Sequence, residues 1–234
     1  MSTFLQLVNQ TMVEAGTAGS ALTTLQGNLS AEAIRFKNWI NYEWQRIQAD
    51  KVQWQWMRQS GTFPTLANQA QYTIAAIGAT STPAFAAATF GNWIRRSFRF
   101  YLDPAFGDEQ LAAFITWDQF RDLYLYGANR TNSSRPVAFT VGPDKSLWLG
   151  MRPDQVYTCV YEYYQSAIGL SADADTPAMP AQYHDLIVFR ALKAYGAFMS
   201  AEEVIGRANE EIARITPKLC ADQLPIVFGG PPLA

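Results

Sequence analysis

The chain has 234 residues, of which 49% are hydrophobic, 14% aromatic and only 16% charged, and its formal net charge is −2. The hydrophobic content excludes a disordered chain, and the lack of any apolar run near 20 residues excludes a helical membrane span. A slightly acidic chain also has no general affinity for nucleic acid or an anionic membrane. An average globular chain has about 25% charged residues, so the low charge needs an explanation.

Two helices are predicted before residue 57. Thr3 and Gln6 have the spacing of a capping box, and the first helix carries an apolar face, formed by Phe4, Leu5, Val8 and Met12. Ser30 is placed to cap a second helix that ends near Asp50. Its expected buried face consists of Ile34, Phe36, Ile40, Trp44 and Ile47.

The middle of the chain has the patterns of short strands. Residues 92–103 alternate between apolar and polar side chains, which predicts one strand buried on one side. Residues 136–142 and 146–150 predict a hairpin around a Gly-Pro-Asp-Lys turn, and residues 157–164 predict another strand. Residues 117–126 resemble a short helix. The uncharged, Ala- and Thr-rich residues 75–91 predict a long loop.

Helices return after residue 180. Residues 181–199 are apolar on most faces and predict a centrally buried helix, with one row formed by Tyr183, Ile187, Ala191, Ala194 and Phe198. Ser200 and Glu203 predict a capping box for the last helix. Pro217 is expected to kink that helix or to start a separate last turn.

This order of elements predicts an α+β fold. The N- and C-terminal helices form an antiparallel helical bundle, and a β-rich, sandwich-like block is inserted between them. The expected domains are a bundle of residues 1–57 and 173–221, an insertion of residues 58–172 and an extended tail of residues 222–234.

Catalytic and metal-binding patterns are sparse, and we predict no catalytic residue, metal site or cofactor. His184 is the only histidine, which excludes a multi-histidine metal site; we expect it at a helix surface or an interface. Asp173 and Asp175 are a carboxylate pair able to bind a cation or to act as acid and base. Because they precede a helix, we expect a structural or capping role.

Two surfaces have the composition of binding sites. Arg95, Arg96 and Arg99, with Arg58 near them, are the densest basic cluster, and they suit either phosphate groups or carboxylates on a sheet face. The seven tryptophans suit either a carbohydrate groove or the core and subunit contacts. We expect paired arginines and buried tryptophans.

Several segments together resemble the head-to-tail adaptor, or connector, proteins of tailed bacteriophages. They are residues 4–9, 14–16, 39–41, 47–48, 54–58, 136–150, 161–164, 175–177, 179–180 and 221–225. The resemblance implies a structural virion protein without catalysis, which forms a ring, commonly of twelve subunits, below the portal protein. Such a ring extends the DNA channel and is the platform for a stopper, nozzle or tail tube terminator.

The resemblance also implies a place at the head–tail junction, assembly in the host cytoplasm, passage of DNA without specific binding, and no membrane. The expected portal-binding segment is apolar and not helical, and it contains Leu224, Pro225, Ile226, Val227 and Phe228. It is equally able to fold back on its own bundle. The loop of residues 75–91 is a second expected contact.

Four charged residues are expected to face the channel or a neighbouring subunit: Arg95, Arg99, Glu210 and Glu211. The low charge of the chain is then surface reserved for neighbours. Two alternatives remain: a tail-associated carbohydrate-binding module that uses exposed Trp and Tyr, and a hydrolase that uses Asp173 and Asp175.

Overall fold

The structure is a computed structural model that describes residues 2–17, 20–51, 53–102 and 104–225. The chain forms two compact units. A helical unit comes from Met1–Met57 and Ala167–Ala234, and a β-rich unit comes from Arg58–Ser166. Helices at both ends of the chain flank two largely antiparallel sheets, which confirms the predicted α+β fold.

Four main helices build the helical unit: α1 (Phe4–Glu14), α2 (Ala31–Asp50), α5 (Asp185–Met199) and α6 (Glu202–Gln223). The predicted caps of α1 and α2 are confirmed. The backbone N–H of Gln6 donates to Thr3 Oγ1 at 3.3 Å, and the N–H of Thr3 donates to Gln6 Oε1 at 2.9 Å. Ser30 Oγ accepts from the N–H of Ala33 at 3.1 Å. These side chains satisfy donors that the first turns leave free.

The core of the helical unit lies where α1 and α2 contact each other and α5, while α5 also contacts α6 along its length. Fully buried side chains from all four helices include Phe4, Leu7, Phe36, Ile40, Ile187, Ala191, Leu192, Ala208 and Leu219. Two residues assigned to buried rows lie outside this core. Ile34 is 45% exposed and Phe198 is 53% exposed; both lie near helix ends, and the neighbouring helix α2 covers only part of the Phe198 ring.

The junction between α5 and α6 differs from the prediction. Ser200 does not cap α6; it ends α5 in the left-handed conformation, with φ at 55°. That conformation lets the N–H of Ala201 donate to the carbonyl of Gly196 at 2.9 Å, which satisfies one of the last carbonyls of α5. The last helix also runs through Pro217 to Gln223 as one element, so no separate last turn forms.

Nine short strands are found among the described residues of the β-rich unit. They are β1 (Arg58–Pro64), β2 (Gln71–Tyr72), β3 (Phe90–Trp93), β4 (Arg99–Tyr101), β5 (Gln110–Leu111), β6 (Ala113–Phe114), β7 (Ala138–Val141), β8 (Leu147–Leu149) and β9 (Thr158–Gln165). One sheet has the order β1-β9-β4-β5, with β3 also paired to β9; the other has the order β2-β8-β7-β6. All pairs are antiparallel except β6 with β7.

An aromatic core takes side chains from both sheets. Phe98 and Phe139 have ring centroids 4.3 Å apart, and the Tyr161 ring lies 6.2 Å from Phe98. All three side chains are fully buried. The large aromatic content of the chain is therefore mostly core in this unit, since each buried ring removes a large apolar area from water.

The strand predicted over residues 92–103 is divided into β3 and β4, which pair with successive parts of β9. The chain turns between them, where the N–H of Ser97 donates to the carbonyl of Ile94 at 3.1 Å. Ser97 Oγ then accepts the N–H of Glu162 on β9 at 2.8 Å. The Ser97 side chain thus takes the place of a backbone carbonyl as the acceptor for β9. The apolar and polar side chains of residues 92–103 therefore keep alternating although the chain turns.

The prediction of a long loop over residues 75–91 is wrong. A short helix, α3 (Ile74–Thr80), begins after Thr73, whose Oγ1 accepts from the N–H of Ala76 at 3.2 Å. Ile77 is fully buried in the aromatic core, and residues 87–93 form a 3-10 turn and β3. Ile77, Gly78, Ser81 and Phe90 are buried, whereas most of the remaining residues of this stretch are exposed.

The predicted hairpin is confirmed as β7 and β8, with Trp148 opposite Thr140. The predicted helix near residue 120 is confirmed as α4 (Trp117–Phe120), which continues as a π-helical turn over Arg121–Leu125. Across the described ranges, no helix combines the length and the apolarity that crossing a lipid bilayer requires.

Candidate interaction surfaces

The two aspartates considered for catalysis hold the helical unit together. The carboxylate of Asp173 accepts from the hydroxyl of Thr24 at 2.6 Å and from the N–H of Leu25 at 2.9 Å. These bonds favour the charged form and lower the pKa of Asp173. The segment between α1 and α2 is thereby tied to the chain that precedes α5, which confirms a structural role.

Asp175 has a similar local role. Its carboxylate accepts from the backbone N–H groups of Ser171 and Ala172 at 2.7 and 2.8 Å, which lower its pKa. Its carbonyl accepts the N–H of Phe4, and that of Asp173 accepts the N–H of Leu5. The turn of residues 171–175 therefore satisfies free donors at the start of α1, and it gives both acids internal partners.

His184 is buried rather than exposed, which corrects the expectation of a surface or interface position. Its Nε2 lies 2.9 Å from the carbonyl of Met179, and its Nδ1 accepts the N–H of Ser2 at 3.3 Å. This arrangement suits the neutral ring with the proton on Nε2. Burial lowers the pKa of His184.

Most of the basic cluster is already paired inside the β-rich unit. Arg58 forms an ion pair with Glu162, and Arg99 forms one with Glu109 at 3.5 Å. The guanidinium of Arg95 lies 4.5 Å from the centre of the Phe114 ring, a cation–π arrangement. A sheet face paired with carboxylates is thus confirmed for Arg58 and Arg99, and the carboxylates come from the same chain.

The two glutamates singled out on α6 have different surroundings. Glu211 is half-buried and accepts from Arg214 Nε at 2.9 Å. Glu210 is exposed, and no described residue forms an ion pair with it. Glu210 therefore presents an uncompensated negative charge to whatever lies beside α6.

The tail is described only at its beginning. The N–H of Leu224 donates to the carbonyl of Cys220 at 3.1 Å and ends α6. Leu224 is half-buried and Pro225 is exposed, while Ile226, Val227 and Phe228 lie outside the described residues.

None of the seven tryptophans is exposed. Trp44, Trp54 and Trp93 are buried, and Trp39, Trp56, Trp117 and Trp148 are half-buried. Their packing is internal: Trp54 stacks on Trp56 with centroids 4.4 Å apart, and Trp93 contacts Phe90 at the same distance. A carbohydrate platform requires exposed ring faces, so the tryptophans support core packing.

An apolar surface that sequence patterns missed lies on the helical unit. We call it the helix-end surface; it consists of Phe198 and Met199 at the end of α5. Phe198 and Met199 are 53% and 54% exposed. The guanidinium of Arg35 lies 4.5 Å from the centre of the Phe198 ring, and the Trp39 ring lies 5.9 Å from it. The signal in the sequence was that Phe198 and Met199 directly precede the chain reversal at Ser200.

Two of the cavities on the described surface contain charged side chains. One of about 440 Å³ lies among α2, α5 and α6; four of its charged side chains are paired, since Arg46 binds Glu43 at 2.9 Å and Arg190 binds Asp50 at 2.7 Å. The other, of about 370 Å³, lies in the β-rich unit beside the π-helical turn. Within the described ranges, no three acidic, histidine or cysteine side chains form a group able to hold a metal ion.

These features define an α+β protein whose exposed apolar and charged groups are suited to binding partners. The model of the SU10 adaptor protein family matches residues 2–218, and the chain belongs to this family of phage head-to-tail adaptors. None of the curated proteins compared with the chain matches it. The family is structural and fits a place in the virion, and membership implies interaction with portal and tail components in general.

Proposed function

We propose that this chain is the subunit of a twelve-membered ring that docks on the portal protein, extends the DNA channel and forms the platform for tail attachment. Family membership over residues 2–218 supports an adaptor role. The observation that carries ring assembly is the helix-end surface, where Phe198 and Met199 are each more than half exposed. Covering such a surface with a neighbouring subunit removes apolar area from water and stabilises the assembly.

The helix-end surface is also ordered before any partner binds. Arg35 and Trp39 contact the Phe198 ring from α2, so the ring has few conformations to lose on binding. Pre-ordered aromatic side chains typically contribute most of the binding free energy of an interface. We therefore place the main contact between subunits at this surface.

The charged residues have complementary places in the proposed ring. A subunit in a closed ring uses two different surfaces for its two neighbours. We propose that Arg95 and Arg99, already balanced by Phe114 and Glu109, lie at such contacts. Glu210 and Glu211 face the channel in this proposal, because a near-neutral or acidic wall does not hold the DNA that passes.

The tail is the proposed portal contact. The chain leaves α6 at Leu224, and Pro225, the last described residue, is exposed. The apolar residues Ile226, Val227 and Phe228 suit a groove on the portal, and the neighbouring proline lowers the entropy lost on binding. The ring assembles in the host cytoplasm, and a stopper, nozzle or tail tube terminator then binds it.

Ring assembly is tested by exchanging one exposed apolar side chain on each of two surfaces. Phe198→Ser removes the centre of the helix-end surface, and Val13→Ser changes a residue on α1 that is 64% exposed. We expect native mass spectrometry of portal mixtures to show rings with Val13→Ser and only free subunits with Phe198→Ser. Equal ring formation by both variants would contradict the proposed contact.

Portal docking is tested separately in the tail. The double variant Ile226→Ser with Phe228→Ser is compared with Leu233→Ser, which changes an apolar residue of the same tail outside the proposed segment. We expect the double variant to lose co-sedimentation with purified portal and the single variant to keep it. Retained binding by the double variant would move the portal contact elsewhere.

A further inference from the structure

The cavity of about 370 Å³ in the β-rich unit has the composition of a binding site. Aromatic rings and two guanidinium groups line it, including Phe120, Tyr124, Tyr126, Trp148, Arg130 and Arg152. Its volume is in the lower part of the range found for ligand pockets, which is enough for one or two side chains. None of the residues proposed for the ring or portal contacts lines it.

The two arginines of the cavity have no internal partner in the part of the chain that the structure describes. Arg58, Arg99, Arg121 and Arg135 form ion pairs, and Arg95 lies over Phe114. Among the described residues, no hydrogen bond, ion pair or ring contact is found for the side chains of Arg130 and Arg152, nor for that of Arg96, which lies outside the cavity. Arg152 is half-buried and Arg130 is exposed, so both guanidinium groups remain available to pair with a carboxylate that enters the cavity.

A second observation concerns the backbone of the cavity wall. Tyr124 and Leu125 belong to the π-helical turn Arg121–Leu125. Such turns are rare and occur frequently at functional sites. The turn rests on Gly150, where an added Cβ would lie 3.0 Å from the Tyr124 ring. The absence of a side chain at Gly150 therefore lets Tyr124 occupy its place in the wall.

We propose that this cavity binds a segment of a partner polypeptide in which an acidic side chain adjoins an apolar one. The carboxylate pairs with Arg130 and Arg152, whose planar guanidinium groups match its two oxygens. The apolar neighbour packs against the rings of Tyr124 and Trp148. Nucleic acid fits less well, because its affinity comes from many phosphate contacts, whereas this small cavity offers two cations in a chain of net charge −2.

The proposal extends the adaptor role to the β-rich unit, and it is tested without portal or particles. The probe is a fluorescein-labelled peptide Gly-Phe-Asp-Phe-Gly, and its matched control contains Asn in place of Asp. Fluorescence anisotropy with the full-length protein measures both dissociation constants. We expect the Asp peptide to bind at least about tenfold more tightly, since hydrogen bonds to charged groups are the stronger ones.

Two variants assign the binding to the cavity. Arg152→Gln and Arg130→Gln should each weaken binding of the Asp peptide by about tenfold or more. Arg96→Gln, which changes an exposed arginine of the same unit outside the cavity, should leave it unchanged. Circular dichroism and the melting temperature verify that each variant is folded, and the exposed Arg130 provides the test if Arg152→Gln unfolds.

Three results would overturn the proposal. The first is no saturable binding of the Asp peptide at millimolar concentration. The second is equal affinity for the Asp and Asn peptides, or equal loss in the Arg96 and Arg152 variants. The third is tight binding of a labelled dT12 oligonucleotide that Arg152→Gln abolishes and Arg96→Gln does not, which would make the cavity a nucleic-acid site. Failure of ring assembly would leave all these measurements unaffected.

Discussion

The hydroxyl of Thr24 donates a 2.6 Å hydrogen bond to the carboxylate of Asp173, across 149 residues of sequence. This bond joins the segment between α1 and α2 to the segment that precedes α5. The same carboxylate also accepts the N–H of Leu25, so one side chain forms two of the bonds that join these segments.

Replacing Asp173 by alanine should lower the melting temperature of the protein. Its folded-state pKa lies below the ordinary value near 4, so the charged carboxylate stabilises the fold at neutral pH. That stabilisation is complete above the unfolded-state pKa and is lost as the pH falls through the folded-state pKa. The difference between wild type and Asp173→Ala should therefore be present at pH 6 and shrink towards pH 3.

The control for this series is Glu210→Ala, which removes an exposed carboxylate without an ion pair among the described residues. It should leave the melting temperature nearly unchanged at both pH values. A difference for Asp173→Ala that stays constant from pH 6 to pH 3 would contradict the role assigned to its charge.

The lowered pKa of His184 predicts a second pH dependence of stability, at higher pH than the one expected for Asp173. Burial lowers its pKa below 6.5, so the unfolded chain takes up a proton before the folded protein does. The free energy of unfolding should therefore fall as the pH drops below about 6.5, down to the folded-state pKa. Urea denaturation at pH 7.5 and 5.5 measures this fall, which should be smaller in His184→Gln. An equal fall in both proteins would assign it to other groups.

Two helical glycines should respond oppositely to alanine. A Cβ on Gly196 of α5 would lie 2.9 Å from Ile205 Cγ1 of α6, whereas nothing lies within 4 Å of a Cβ on Gly206. Gly196→Ala should therefore destabilise the protein by about 1–3 kcal/mol through overpacking. Gly206→Ala should stabilise it by up to about 1 kcal/mol through helix propensity. Urea denaturation of both variants measures the signs, and a stabilising Gly196→Ala would mean that α5 and α6 separate without cost.

Arg135 should matter more than its partly exposed neighbour Arg121. Its guanidinium donates to Asp108 Oδ2 at 2.9 Å and to the carbonyl of Phe100 at 2.6 Å, and it lies over the Tyr157 ring. Arg135→Ala should cost roughly 2–4 kcal/mol, because it removes the ion pair with the partly buried carboxylate of Asp108 and the hydrogen bond to the carbonyl of Phe100. Arg121→Ala, which breaks only surface ion pairs with Asp118 and Asp122, should cost about 0–1 kcal/mol. Similar costs in urea denaturation would rule out a special role for Arg135.

Features that depend on neighbouring residues were predictable. The capping box of Thr3 and Gln6 and the hairpin of β7 and β8 both follow from side chains a few positions apart. Features that depend on contacts with residues far away in the sequence were not predictable. The turn between β3 and β4 exists because Ser97 satisfies the N–H of Glu162, and α3 is held because Ile77 reaches the aromatic core of its unit.

The candidate surfaces likewise include features that the sequence predicted and features that only tertiary contacts decided. Arg95, Arg99, Glu210 and Glu211 could be selected by charge, but the contacts of Arg95 with Phe114, of Arg99 with Glu109 and of Glu211 with Arg214 could not be predicted. No sequence pattern predicted the helix-end surface or the cavity at Arg152, because the exposure of a side chain depends on where the neighbouring helices and strands end.

The amino-acid sequence alone determined the α+β class and the helical ends, because helix periodicity, caps and turn residues act over a few positions. The adaptor resemblance came from particular segments and their order along the chain. The low fraction of charged residues, 16%, also left open which apolar side chains are buried and which are exposed. Tertiary structure decided the answer, since only packing shows which apolar residues are covered. Ile77 is buried and none of the tryptophans is exposed, whereas Ile34, Phe198 and Met199 are exposed.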